Sequence, residues 1–160
     1  MGRKSREIAD IDLKDLIKDL NKAYCDEWLA FYAYWYMAKT VEGKGYEDME
    51  EFLSKVAKDE LEHAGELAER IVELGGLPSY NISNLEKNAN ASYPGVMKDL
   101  ADYDEIIKLV EDAEAGAIEV YNKLAKKTFG KDHDTYQLVT HILGEEIGHE
   151  EMFENLEVKK

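Results

Sequence analysis

Read at alternating steps of three and four, the chain resolves into four apolar seams, and a glutamate breaks each of them at a single level. The first runs Leu13, Ile17, Leu20, Tyr24, Glu27, Phe31, Tyr34, Ala38, Val41. The second runs Met49, Leu53, Val56, Glu60, His63, Leu67, Ile71, Leu74, and the third Leu100, Tyr103, Ile107, Val110, Glu114, Ala117, Tyr121, Leu124. The fourth is Val139, Ile142, Glu146, His149, Phe153, Leu156. Residues at this spacing line one face of an α-helix, the face that a bundle buries. The chain therefore reads as all-α, with four helices that each bring one charged residue, or a Glu-x-x-His pair, to the interior.

Loop chemistry orders these helices. "VEGKG" (41–45) and "TFGKDHD" (128–134) are short breaks, whereas "GGLPSYNISNLEKNANASYPG" (75–95) is a long Gly-, Pro- and Asn-rich connection. Helices are expected over 11–41, 46–74, 98–128 and 134–156, with the crossover over 75–97. Short connections force antiparallel neighbours, so the first two helices pair, and so do the last two. A helix over 46–74 is about 44 Å long, and a 21-residue strap can reach about 70 Å, enough to return along the whole bundle. The expected architecture is a four-helix bundle with one long crossover, all 160 residues forming one domain. "ISNLEK" within the strap is expected to add a short turn of helix.

Four buried carboxylates at one level are electrostatically untenable alone, because each costs several kcal/mol to desolvate and they repel one another. Two divalent cations would balance them, and neutral imidazoles from "DELEH" (59–63) and "EEIGH" (145–149) would complete the ligand set. Glu60 follows Glu27 by 33 positions and Glu146 follows Glu114 by 32, so two helix hairpins carry one pattern twice. The candidate metal ligands, and so the candidate catalytic residues, are Glu27, Glu60, His63, Glu114, Glu146 and His149. Glu111, three before Glu114, is a candidate extra ligand or a flank residue. Asp59 and Glu145 are either acceptors for the second ring N–H of a ligand histidine or exposed acids. Tyr34, two seam steps past Glu27, either hydrogen-bonds a ligand, passes an electron or packs in the core. His133 and His141 read as surface residues, and Cys25 receives no role.

With 35 acidic and 20 basic residues the net charge is -15. Such a surface repels nucleic acid, so DNA is not an expected partner, and it attracts cations. The basic start "GRKSR" reads as a solvated tail. One cysteine excludes an internal disulfide and any four-cysteine metal site, and no apolar run reaches membrane length, so no membrane association is expected and a cytoplasmic location is. "WLAFYAYWYM" (28–37) is apolar nearly all round its helix. Trp28, Tyr32, Trp35 and Tyr36 thus imply a second buried face and packing between subunits.

Helices, crossover and all six ligand positions resemble the ferritin-like superfamily over about residues 10–156, in which two Glu and two Glu-x-x-His motifs build a di-iron or di-manganese carboxylate centre. The spacing looks most like bacterioferritin and the Dps-like proteins that carry a bacterioferritin-type centre. The resemblance implies two Fe ions per subunit, with Mn or Zn as substitutes, and bridging roles for Glu60 and Glu146. It also implies oxidation of Fe(II) by O2 or hydrogen peroxide, iron storage in a homo-oligomeric cage, and protection from oxidative stress. Leu61 occupies the position of the bacterioferritin haem-ligating Met, so no haem is expected. Eleven residues follow His149, too few for the fifth helix of 24-subunit ferritins, and a dodecameric cage is expected instead. The cysteine pair usual in the Dps-like subgroup and the inter-subunit Dps site have no counterpart here. A rubrerythrin-like peroxidase or manganese catalase that stores no iron is the alternative activity, and a DNA-coating or scaffold oligomer the non-enzymatic one.

Overall fold

Aspartates cap three of the four long helices at their starts. The computed structural model, which describes residues 3–95 and 97–156, shows six α-helices and a 3-10 turn among those residues: α1 (Arg3–Ile8), α2 (Leu13–Thr40), α3 (Tyr46–Glu73), the 3-10 turn Ile82–Asn84, α4 (Leu85–Asn88), α5 (Tyr103–Thr128) and α6 (His133–Glu154). Asp12 caps α2 by accepting from the Lys14 and Asp15 amides at 2.9 and 3.1 Å, and Asp102 and Asp132 cap α5 and α6 in the same manner. At the end of α3 the chain reverses through Gly75, at φ 90°. Gly76 then passes so close that a Cβ there would sit 2.6 Å from Ile17 Cγ2.

Helix α5 begins five residues later than its expected start at 98. Asp99 accepts from the Ala101 amide through its side chain and from the Asp102 amide through its carbonyl, so local turns win over helix before the Asp102 cap. The expected helical turn within the strap is present as Ile82–Asn84 and Leu85–Asn88. Gly2 lies outside the described residues; the rest of the basic start has no buried residue, as expected of a solvated terminus, yet it is helical. It forms α1, whose Ser5 Oγ accepts from Arg70 Nη1 at 2.9 Å.

Contacts fix the bundle. Glu27 pairs with Tyr121 and Tyr34 with Glu114, so α2 and α5 run antiparallel; His63 pairs with Glu145 and His149 with Asp59, so α3 and α6 do too. The crossover must therefore travel the length of the bundle. It is tied to α2 where Asp26 accepts from the Asn90 amide (2.8 Å), Asn90 Nδ2 (2.5 Å) and the Ala91 amide (3.1 Å). Tyr93 of the strap lies against Tyr32, with ring centroids 6.3 Å apart. Part of the second apolar face of α2 is thus covered by the same chain rather than by another subunit, and fully buried Cys25 belongs to this extra face. Tyr32 and Trp35 remain 52% and 45% exposed.

The apolar interior is divided in two. One half gathers Met37, Val41, Leu53, Val56, Ile106, Val110 and Phe153; the other gathers Leu16, Leu20, Leu67, Ile71, Leu124, Val139 and Ile142. Between them lies a charged layer. No helix among the described residues is long and apolar enough to cross a membrane.

Candidate metal centre

The four glutamates and two histidines of the seams meet in that layer, each no more than 5% exposed. Their ligand atoms form two groups, Glu27–Glu60–His63–Glu146 and Glu60–Glu114–Glu146–His149, and within each group the atoms lie within 4.8 Å of one another. Glu60 and Glu146 belong to both. Each sends one oxygen to either side: Glu60 Oε2 is 3.7 Å from His63 Nδ1 and its Oε1 3.6 Å from His149 Nδ1, while Glu146 Oε1 and Oε2 lie 3.1 and 3.8 Å from the same two atoms.

Glu27 and Glu114 behave differently. Tyr34 Oη donates to Glu114 Oε1 at 2.6 Å, and Tyr121 Oη donates to Glu27 Oε1. One oxygen of each carboxylate is thereby engaged, and the other, Oε2, faces inward, 3.6 Å from His63 Nδ1 for Glu27 and 3.4 Å from His149 Nδ1 for Glu114. Burial, reinforced by the adjacent Glu114 and Glu27 respectively, raises the Tyr34 and Tyr121 hydroxyls well above their usual range, so both remain donors.

Each imidazole is held from behind. His63 Nε2 lies 2.8 Å from Glu145 Oε2 and His149 Nε2 lies 3.2 Å from Asp59 Oδ2. A carboxylate at Nε2 favours a proton there, so Nδ1 is the nitrogen that faces the layer as a potential ligand atom. His141, exposed, reaches Glu145 Oε2 at 3.4 Å. His133 is exposed at the first position of α6, and Glu111 is half-buried one turn before Glu114, outside the two converging groups.

Electrostatics show how strained the set is on its own. Burial and the neighbouring Glu146 and Glu27 push Glu60 well above the carboxylate range. Burial also raises Glu114, to about 8, with Glu146 adding to the rise and His149 opposing it. Burial alone would raise Glu146 too, yet the imidazoles of His149 and His63 beside it outweigh burial and hold Glu146 at about 2. For His149, burial works against the charged form, but Glu114 and Glu146 overcome it and lift the group to about 10. His63 is raised in the same way by Glu146, Glu27 and Glu60. Side chains alone answer the crowded negative charge by retaining protons. Even so, Glu60 Oε1, His63 Nδ1, Glu114 Oε2, Glu146 Oε1 and His149 Nδ1 are buried without a hydrogen-bond partner.

Two features escaped the sequence reading. Tyr121 reads as core on its seam, although it stands seven residues after Glu114 just as Tyr34 stands seven after Glu27, so the internal repeat holds the signal. Arg70, 4% exposed, donates to Thr135 Oγ1 and to both Asp132 oxygens, and reaches Glu73, Asp134 and Ser5. Nothing in the spacing announces a partner 62 positions away.

A cavity of about 960 Å³ separates α2 from α5 and opens on the layer, with Glu27, Tyr34, Glu60, Glu114, Tyr121 and Glu146 among its lining.

Comparison with known proteins gives a consistent answer. The Ferritin-like domain family matches residues 17–159. A DNA protection during starvation protein of Pyrococcus furiosus is 32% identical over 155 residues, covering 97% of this chain and 83% of that protein. The structure superposes on a dodecameric thioferritin, the bacterioferritin-related protein of Bacteroides fragilis, with a TM-score of 0.91 and 33% identity, covering 96% of this chain and 92% of that one. It also superposes on the Desulfovibrio desulfuricans bacterioferritin, whose structure describes a diiron site in different catalytic states, with a TM-score of 0.75 and 28% identity over 90% of this chain and 78% of that one.

Proposed function

The chain belongs to the ferritin-like domain family, and from that premise we propose that it is a non-haem ferroxidase that takes two Fe(II) per subunit as substrate, oxidises them and stores the product in a homo-oligomeric cage. One observation carries this reading: five of the six side chains that form two overlapping ligand groups hold a buried polar atom with no hydrogen-bond partner. Buried polar atoms without partners are costly, and here they point at two positions that share Glu60 and Glu146.

The donor set suits iron. Carboxylates and imidazoles are the ligands that non-haem iron, manganese and zinc accept, and no thiolate is near enough to favour a softer metal. Glu60 and Glu146, with an oxygen toward each histidine, are the bridging carboxylates; Glu27 and Glu114, each with one oxygen held by a tyrosine, are terminal. Asp59 and Glu145 fix the histidine tautomers. The net reaction with hydrogen peroxide is 2 Fe(II) + H2O2 + 2 H⁺ → 2 Fe(III) + 2 H2O, and carboxylate oxygens favour the more highly charged product. The cage is proposed as dodecameric by likeness to the Bacteroides fragilis thioferritin, with the half-exposed Tyr32 and Trp35 on a subunit contact.

The test is to mix the iron-free protein with Fe(II) and either O2 or hydrogen peroxide, following oxidation optically and then measuring particle mass and iron per subunit. Rapid oxidation with many irons retained per particle is expected. Oxidation no faster than that of free Fe(II) would refute the reading, and turnover without retained iron would place the protein with peroxidases that store none.

A further inference from the structure

Hydrogen peroxide or O2 needs space on the order of a water's 30 Å³, yet the cavity that opens on the glutamates between α2 and α5 measures about 960 Å³. That is the size of sites that bind organic molecules of drug size. Resting on the ferroxidase reading above, we infer that this cavity admits an uncharged organic hydroperoxide as oxidant, its alkyl or aryl tail between α2 and α5 and its O–O group at the glutamate layer.

Small residues leave the space between the two helices unfilled. Ala30 and Ala117, three residues after Glu27 and Glu114, both line the cavity, as do Ala23 and Gly116. A Cβ built on Gly116 would meet nothing within 4 Å. Larger side chains at these places would fill the approach to the layer, so the openness is written into the sequence at positions related by the internal repeat. The rim is pinned where Asn90 and Ala91 of the crossover donate to Asp26.

Charge at the mouth selects the class of occupant. Away from the glutamate layer, the lining carries five carboxylates and four lysines. Among them Lys127 is committed to Asp15 and Asp19, at 2.6 Å each. In a chain with 35 acids and 20 bases this is a nearly neutral opening. It neither draws cations, as a path for Fe(II) would, nor offers a basic site to an anionic lipid. A neutral tail against alanine, glycine, leucine and valine fits it. The reaction is ROOH + 2 Fe(II) + 2 H⁺ → ROH + H2O + 2 Fe(III): the O–O bond breaks, the two irons supply its two electrons, and solvent supplies the protons.

Cumene hydroperoxide is the probe, compared with hydrogen peroxide in anaerobic Fe(II) oxidation by the full-length protein. Wild type is expected to use both with kcat/KM within about tenfold, yielding one 2-phenyl-2-propanol per two Fe(II) rather than the acetophenone of one-electron cleavage. Gly116→Phe is expected to lower the ratio of the two kcat/KM values at least tenfold, with Ala117→Leu as the second variant should the first fold poorly. Calorimetry of 2-phenyl-2-propanol on iron-free protein is expected to show saturable binding, weakened at least tenfold in either variant. Rapid oxidation by hydrogen peroxide with cumene hydroperoxide no better than on free Fe(II), or a ratio and alcohol affinity unmoved by both substitutions, would overturn the inference and leave the cavity to a side chain of a second copy. Inertness toward hydrogen peroxide, O2 and cumene hydroperoxide alike would instead refute the ferroxidase reading, and this inference with it.

Discussion

Two clusters of buried charge lie along α3, ten residues apart, and they are resolved in opposite ways. Around Arg70 the charge closes on itself: its guanidinium grips both oxygens of Asp132, reaches Asp134 and Glu73, and donates to Thr135 and Ser5. Around Glu60 there are four carboxylates to two imidazoles, and five polar atoms find no partner. Satisfied burial of charge holds elements together, here α1, α3 and the start of α6. Unsatisfied burial is a standing cost, and a ligand bound among these atoms would relieve it. The first cluster is architecture, and the second is proposed as the metal site.

The most severe way to break this contrast is to remove one shared carboxylate. Glu60→Ala is expected to slow Fe(II) oxidation by more than about 100-fold, beyond the 10- to 100-fold usual for partners outside the ligand set. The same variant should leave the thermal midpoint of the iron-free protein unchanged or raised, because a repelling carboxyl is gone. A large fall in that midpoint would mean that Glu60 is structural, and the distinction from Arg70 would collapse.

Arg70→Met is the mirror experiment. Breaking a buried ion pair from one side costs about 3–5 kcal/mol, because the remaining charge stays buried, and Asp132 is 4% exposed. Urea unfolding should show that loss. Fe(II) oxidation per folded subunit should stay near wild type, since α3 is held along most of its length by other contacts.

Much of this was legible in the periodicity of the seams. Every seam position of α3 is buried, from Met49 to Leu74, because a helix packed on one broad face keeps the three-four spacing. On α2 one seam is too narrow: Leu16, Ala23, Ala33 and Met37 are also buried in the bundle interior, and Cys25 is buried outside it. The convergence of Glu27, Glu60, His63, Glu114, Glu146 and His149 followed from spacing, while the family followed from the resemblance of those motifs to a known pattern. Arg70 did not, because its partners are set by how the ends of α3 and α6 meet. Helix α1 was hidden for the same reason: six residues are too few to announce a helix, and its tie to Arg70 through Ser5 is a tertiary contact.

Alkaline pH separates the two clusters without mutation. Glu114, raised to about 8, and His149, raised to about 10, both hold protons more tightly in the folded chain than their ordinary values near 4.5 and 6.5 allow. Their stabilising contribution is complete below those ordinary values and is lost as pH climbs through 8 and then 10. Asp132, lowered, and Glu146, held at about 2, act at the opposite end and lose theirs only in acid, while Arg70 stays charged. The thermal midpoint of the iron-free protein should therefore fall as pH rises from about 5 to 10, the Glu114 share being lost by about 8 and the His149 share by about 10. Zn(II) should remove the fall and release protons on binding at pH 7, measurable with a pH indicator. A flat alkaline profile would show that the glutamate layer is not under the stress argued here.

The finest division lies within the proposed site, between its two outer carboxylates. Asp59 is 24% exposed and Glu145 44%, and each faces the Nε2 of one histidine. A partner screened from water orients an imidazole more strongly than one that solvent can replace, and Glu145 is also shared with His141. Asp59→Asn should thus weaken Zn(II) affinity by about 10- to 100-fold, and Glu145→Gln by less, near the lower end of that range. The shorter contact belongs to Glu145, at 2.8 against 3.2 Å, so the pair sets burial against distance as the stronger determinant. A larger loss in Glu145→Gln would show that contact length dominates, and that the His63 half of the layer is the tighter of its two metal positions.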